Sequence, residues 1–181
     1  MSRINTPTLE SAPAASKPLL DGVGKKLGVV PNLFRVIALS PAALEGYLGL
    51  NGALSRTLDV RTRERIAIAV AERNGCDYCL SAHTYLALNL AKITPEDAEL
   101  AREGSSTDAK AAAAVRFAVQ VVKTRGGVGD ADIAAVKEAG FGEDQIVEIV
   151  GLVAENVFTN FLNRVAQTDI DFPVLHTAQA A

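Results

Sequence analysis

The chain has 181 residues, of which 49% are hydrophobic and only 5% aromatic, and its formal net charge is −3 at pH 7. This length suits one domain with a substantial core, and the shortage of aromatic residues suits closely packed helices, so we expect an all-α protein. The small negative net charge gives no sign of a basic surface for nucleic acid, so we expect no nucleic-acid partner. No apolar run reaches the roughly 20 residues that span a bilayer, so we expect no membrane partner.

The chain pattern predicts an extended arm, one helical domain and an extended tail. Residues 1–16 hold two prolines among small polar residues, residues 17–167 carry helical patterns, and residues 168–181 are again extended. The arm lacks the apolar stretch of a signal peptide, and the only two cysteines are closely spaced. We therefore expect a cytoplasmic protein whose thiol pair is catalytic rather than structural.

Helix start and stop signals divide the first half of the chain into four helices. Ser40-Pro41 is a typical start, with serine as the cap and proline in the first helical position, and Gly28 is a typical stop. The predicted helices cover residues 18–27, 33–39, 41–56 and 60–74.

The fourth helix places a carboxylate, that of Glu64, inside its apolar arc. A buried carboxylate needs a partner, and Arg63 on the same helix would make Glu64 half of a structural ion pair. Alternatively, Glu64 is a proton relay for a thiol on the next helix, because the Asn74-Gly75 turn folds the two helices back on each other. The polar side of the helix is predicted to hold solvated charges, those of Arg61, Arg65 and Glu72.

The most informative stretch follows that turn, where a Cys-x-x-Cys pair, Cys76 and Cys79, precedes His83 on one face of a helix. A thiolate there is stabilised by free N–H groups of the first turn and by a neighbouring imidazolium. Cys79 lies four residues before His83, so we favour it as the attacking thiol and Cys76 as the resolving thiol. A disulfide that closes so short a loop removes little entropy from the unfolded chain and so stabilises the fold little. We therefore favour a redox-active pair over a structural disulfide.

The cysteines have two other interpretations. A zinc site needs four ligands, and only His176 is left to add to the pair and His83, so we predict no metal and no cofactor. Inert core cysteines are the second alternative, because free cysteine is among the most buried residue types.

The second half of the chain predicts four more helices, over residues 95–103, 108–123, 130–139 and 145–167. The last is apolar over more than one face, so we expect it at the centre or between subunits. It is interrupted by three amides, Asn156, Asn160 and Asn163, which we expect to be structural unless one faces the thiols and binds substrate. The tail is predicted to pack across a neighbour, with His176 on the surface.

Three stretches, Arg63-Glu64-Arg65, the run 74–79 and Ala82-His83-Thr84, resemble the core motif of the carboxymuconolactone decarboxylase and AhpD-like alkylhydroperoxidase superfamily. The runs 30–34 and 171–173 resemble its single-domain, peroxidase-related branch, so the resemblance covers nearly the whole chain. It implies an all-helical fold and a homo-oligomer, dimer, trimer or hexamer, built from the core helices.

The resemblance also implies roles for individual residues. Cys79 would be the peroxidatic cysteine, Cys76 the resolving cysteine, and Glu64 and His83 the proton relay. AhpD-type enzymes carry a histidine between the two cysteines, where this chain has Tyr78.

Three functions follow as hypotheses. The first is a thiol-dependent hydroperoxide reductase that acts on a small hydroperoxide and is restored by an unidentified thiol or dithiol. The alternative is a cofactor-independent decarboxylase or lactone enzyme of the same superfamily, in which the cysteines are bystanders. The third is a redox-sensing oligomer without catalysis.

Overall fold

The structure, a computed structural model, describes residues 2–178, and within this range it confirms the predicted all-α class. A single 3₁₀ turn, Ala14–Ser16, precedes the α-helices. In chain order these are α1 (Lys17–Leu27), α2 (Asn32–Ile37), α3 (Pro41–Leu54), α4 (Val60–Asn74), α5 (Asp77–Asn89), α6 (Pro95–Glu103), α7 (Ala109–Thr124), α8 (Asp130–Glu138) and α9 (Glu143–Ala166).

Local capping signals account for most of these helix boundaries. The side chains of Ser40, Asp59 and Thr94 each accept a hydrogen bond from the backbone N–H three residues further on. At the other end of α4, Gly75 adopts a left-handed conformation with φ of +64°, which a residue without Cβ takes at no steric cost. The chain therefore reverses directly into α5, and the two helices pack side by side.

The centre of the fold is α4, which packs against α5, α6, α7 and α9. Its apolar residues Ile66, Ile68 and Val70 are completely buried. By contrast, α9 packs on one side of α4 and leaves an apolar stripe exposed. Its length and hydropathy would also suit a membrane span, but core helices meet the same criteria, and α9 packs against α3, α4 and α7 as a core helix does.

The prediction that Arg65 and Glu72 are solvated is wrong, because α6 covers that side of α4 and buries both residues. Arg65 forms a buried ion pair with Asp97, in which Nε lies 2.8 Å from Oδ2. The Glu72 carboxylate is bound by Arg102, whose Nε lies 2.9 Å from Oε2. Of the three predicted surface charges, only Arg61 is exposed.

The described part of the tail makes contacts within its own chain, and packing across a neighbour stays a prediction. The Asp171 carboxylate accepts hydrogen bonds from the Asn32 backbone N–H and from the Tyr78 hydroxyl. Further along, His176 is on the surface, as predicted, and its Nδ1 lies 2.7 Å from Asp77 Oδ2. Residues 179–181 of the predicted tail lie outside the described range.

Candidate active site

The two cysteines lie together at the start of α5. Cys76 is the N-cap residue, and its Sγ accepts a hydrogen bond of 3.2 Å from the Cys79 backbone N–H. The two Sγ atoms are 2.7 Å apart, both thiols are free, and the residues are only 1% and 2% exposed. The pair is therefore close enough to join and is shielded from bulk water.

His83 and Glu64 meet where α5 folds back along α4. Nδ1 of His83 lies 2.9 Å from Oε2 of Glu64, and their side chains are 27% and 16% exposed. The alternative partner, Arg63, instead donates to the backbone carbonyl of Leu58. The hypothesis of a structural Arg63–Glu64 ion pair is therefore wrong, and the carboxylate orients the imidazole.

Two of the three amides of α9, Asn163 and Asn160, lie near the Cys79 thiol. Asn163 donates from Nδ2 to Cys79 Sγ at 3.3 Å. Asn160 accepts from the Asn74 side chain, and Asn156 donates to the Leu152 carbonyl in its own helix. Asn163 is therefore the amide that donates directly to the sulfur, and the side chain of Asn160 also lowers the pKa of Cys79.

The electrostatic environment distinguishes the two thiols. Burial alone would raise the pKa of Cys79, but hydrogen bonds from Cys76 and Asn163 and the charge of His83 lower the pKa to about 7. For Cys76, the hydrogen bond that its thiol donates to Cys79, together with burial, raises the pKa. Cys79 is therefore the sulfur that ionises near neutral pH, while Cys76 keeps its proton.

The charge on His83 depends on its carboxylate partner. Burial acts to lower the pKa of His83, but the charge and the hydrogen bond of Glu64 outweigh it and raise the pKa above its usual value. The imidazolium is therefore stabilised beside the sulfur that it helps to ionise.

Two further ionisable groups near the cysteines and His83 were not predicted from the sequence. Glu155 of α9 is 6% exposed, its Oε1 accepts a hydrogen bond of 2.6 Å from Asn51, and burial raises its pKa. Burial, followed by the charge of Glu155, also raises the pKa of Tyr47 on α3. A signal for Glu155 was present in the sequence, because Glu155, Thr159 and Asn163 follow each other at the i, i+4, i+8 spacing of one helix face.

Tyr78, which occupies the position of the histidine in AhpD-type enzymes, makes contacts that hold parts of the fold together. Its hydroxyl accepts from the Leu33 backbone N–H at 3.0 Å and donates to Asp171 at 2.7 Å, and its ring lies edge-on to Phe172. Its polar atom is therefore engaged by α2 and the tail.

We expect Tyr78→Phe to lower the free energy of unfolding by about 1–2 kcal/mol, because the partly buried Leu33 N–H and the Asp171 carboxylate each lose a partner. The rate at which peroxide oxidises the cysteines should stay unchanged. Urea unfolding and stopped-flow oxidation measure the two quantities, and Tyr85→Phe, at a residue that is 43% exposed, is the control. A slow oxidation with unchanged stability would contradict this interpretation and place Tyr78 in the chemistry.

Comparison with known proteins supports the sequence resemblance. The model of the Carboxymuconolactone decarboxylase family matches residues 41–124, which include Glu64, both cysteines and His83. A comparison with curated proteins finds no match.

Solved structures share the fold over nearly the whole chain. The alkylhydroperoxidase AhpD core of an uncharacterized peroxidase-related protein from Ralstonia eutropha JMP134 is 26% identical, with a TM-score of 0.83 over 94% of this chain and 92% of that chain. An uncharacterized peroxidase-related protein from Silicibacter sp. TM1040 is 22% identical, with a TM-score of 0.78 over 92% and 89%. The debrominase Bmp8, in complex with 2,3,4-tribromopyrrole, is 18% identical, with a TM-score of 0.77 over 94% and 92%. The predicted resemblance to the AhpD-like superfamily is confirmed.

Proposed function

We propose that this AhpD-like chain is a thiol-dependent hydroperoxide reductase that cycles Cys76 and Cys79 between dithiol and disulfide. The observation that carries the proposal is the environment of Cys79 Sγ, which contacts the Cys76 sulfur and accepts a hydrogen bond from Asn163. The peroxidase-related relatives support the same class of chemistry.

In the first step, the Cys79 thiolate attacks one oxygen of the peroxide O–O bond. An S–O bond forms, the O–O bond breaks, and the other oxygen leaves as an alkoxide or hydroxide. The product on the enzyme is a sulfenic acid, and the leaving oxygen takes a proton to become alcohol or water.

In the second step, the Cys76 sulfur attacks the sulfenic acid sulfur of Cys79. A disulfide forms, and the released hydroxide combines with the Cys76 thiol proton to leave as water. One peroxide is thus reduced by two electrons, both taken from the thiol pair, and an external thiol or dithiol must restore it.

Glu64 and His83 handle the protons in this scheme. The imidazolium supplies the proton that the leaving oxygen needs, and the Glu64 carboxylate fixes the ring through the Nδ1 contact of 2.9 Å. The other ring nitrogen, Nε2, is left to exchange protons with the reacting groups.

We expect Glu64→Gln to slow peroxide-dependent thiol loss at pH 7 by about tenfold to a hundredfold, the range of a lost acid–base group. Without the carboxylate, burial lowers the pKa of His83, and the Cys79 thiol loses the charge that helps it ionise. In the wild type the rate should rise with pH through about 7, and in the variant the midpoint should move upward.

Stopped-flow oxidation between pH 5 and pH 9 measures this shift, with Glu138→Gln, at an exposed position of α8, as the matched control. The same midpoint in both proteins would remove Glu64 from the relay. The stoichiometry tests the reaction itself, since one equivalent of peroxide should remove two titratable thiols.

A cofactor-independent decarboxylase or lactone enzyme is the second candidate, and the family match over residues 41–124 is the observation that favours it. In that reaction His83 and Glu64 would move protons and the cysteines would be dispensable. Retained activity in Cys79→Ser on a lactone or β-keto acid substrate would select it. A redox-sensing oligomer would instead form the disulfide, change its assembly state and show no peroxide turnover.

We also propose a homo-oligomer, formed through the outer face of α9. An apolar stripe on this helix is exposed at the spacing of one helix face, and it comprises Val147, Val150, Phe158, Phe161 and Val165. Contiguous exposed apolar surface of this kind marks an association site in many proteins. The number of subunits and the cytoplasmic location stay predictions.

A further inference from the structure

We propose that the cavity beside Cys76 is the docking site of the reductant, a small thiol that carries a carboxylate and attacks the Cys76 sulfur of the oxidised pair. This inference rests on the disulfide cycle proposed above. It gives the two cysteines different partners, with peroxide reacting at Cys79 and the reducing thiol at Cys76.

The cavity, of about 340 Å³, lies between the α4–α5 turn, the start of α5 and the end of α9. Cys76 lines it, and Cys79 does not. A cavity of this size is at the lower end of the range for small-molecule sites, roughly 300–1,000 Å³. A thiol of a few carbon atoms bound in the cavity would therefore approach the disulfide from the Cys76 side, and because Cys76 is only 1% exposed, it would enter through the cavity rather than from bulk water.

Two buried polar atoms belong to residues that line this cavity. Asn163 Oδ1 and Thr168 Oγ1 have no hydrogen-bond partner in the described protein, and their residues are only 3% and 7% exposed. Buried polar atoms are nearly always paired in native proteins, so these two point to a ligand with hydrogen-bonding groups. This observation is independent of the cysteines.

Arg164 supplies the charge that selects a carboxylate. Its Nη1 donates to the Asn74 backbone carbonyl at 2.7 Å, which holds the guanidinium beside the cavity. Its other N–H groups have no partner among residues 2–178. The acidic residues of the lining are Asp77, whose oxygens are engaged by His176 and Thr177, and the exposed Asp169.

The reduction balances in two exchanges. The first thiolate bonds to Cys76 Sγ, the Sγ–Sγ bond breaks, and Cys79 leaves as a thiolate. A second thiolate then attacks the outer sulfur of this mixed disulfide, releases a symmetrical disulfide and leaves Cys76 to take up a proton. Since a sulfur of lower pKa leaves faster, expulsion of Cys79 is favoured over expulsion of Cys76.

The test compares two thiols of opposite charge, 3-mercaptopropionate and cysteamine, each with two methylene groups between the sulfur and the charged group. The protein is first oxidised with diamide, which makes the disulfide without relying on peroxide chemistry, and the return of thiols is then followed. We expect Arg164→Gln to slow reduction by 3-mercaptopropionate about threefold to tenfold, the scale of a partly exposed charge-assisted contact. Reduction by cysteamine should not be slowed, and both reactions should be unchanged in the matched control Arg116→Gln, which replaces an exposed arginine of α7.

Equal slowing of both thiols, or of neither, would overturn the carboxylate assignment. Equal slowing of peroxide-driven oxidation and of reduction would make the cavity the peroxide entrance and overturn the separate docking site. Because diamide bypasses the peroxide step, a protein that does not react with peroxide would refute the proposed function while the reduction assay still gives its own result.

Discussion

Cys79→Ser is expected to abolish peroxide reduction, with a loss of at least about a thousandfold, because a serine hydroxyl is not ionised near neutral pH and cannot replace the thiolate nucleophile. Cys76→Ser should lose turnover but keep the first step at close to its normal rate. In that variant the sulfenic acid on Cys79 has no resolving sulfur and should accumulate. Rapid mixing with peroxide, followed by trapping of the sulfenic acid and mass spectrometry, measures both steps.

The two single substitutions also serve as controls for each other, since each replaces one buried sulfur with oxygen at the first turn of α5. Unfolding midpoints of both variants show whether the fold is kept. Sulfenic acid found only on Cys76, in Cys79→Ser, would reverse the roles of the two thiols. Peroxide turnover that persists in Cys79→Ser would remove the thiol cycle altogether.

The elements of the fold were predictable where the determinants are local. Ser40 as a cap and Gly75 as a left-handed stop lie within a few residues of the backbone groups that they satisfy, so the sequence alone places those helix ends. The Glu64–His83 contact could also be predicted from the sequence, because the two helices that carry these residues are joined by one tight turn.

The surroundings of α4 were not predictable by the same means. A helical wheel separates the apolar arc from the polar arc, but it does not show which arc another helix will cover. Arg65 and Glu72 looked solvated on the wheel and are buried because α6 brings Asp97 and Arg102 against them. Glu155 was missed for a related reason, since its neighbours come from α3 and α4, far away in the chain.

The buried pair of Arg65 and Asp97 is expected to be the most sensitive ionic contact for stability. The two side chains are 9% and 3% exposed, and Asp97 also accepts hydrogen bonds from Ser106 and Thr107. Asp97→Asn should therefore lower the free energy of unfolding by about 3 kcal/mol at pH 7, because it leaves the Arg65 charge buried without a counter-charge. Urea unfolding measures the loss, and Asp130→Asn at the exposed start of α8 should change stability by less than about 0.5 kcal/mol.

The pH dependence of the stability difference distinguishes the loss of the ion pair from a loss of side-chain packing. Burial acts to raise the pKa of Asp97, but the Thr107 N–H, the Arg65 guanidinium and the Ser106 hydroxyl lower the pKa below its usual value. A carboxyl with a depressed pKa stabilises the fold fully above its unfolded pKa, about 3.9, and loses that contribution as pH falls through the folded value. The difference in stability between wild type and Asp97→Asn should thus be largest at neutral pH and shrink on acidification below about pH 4, because the wild-type carboxylate is then neutralised as well. A difference that stays constant down to pH 3 would show that packing, rather than the charge on Asp97, holds α6 against α4.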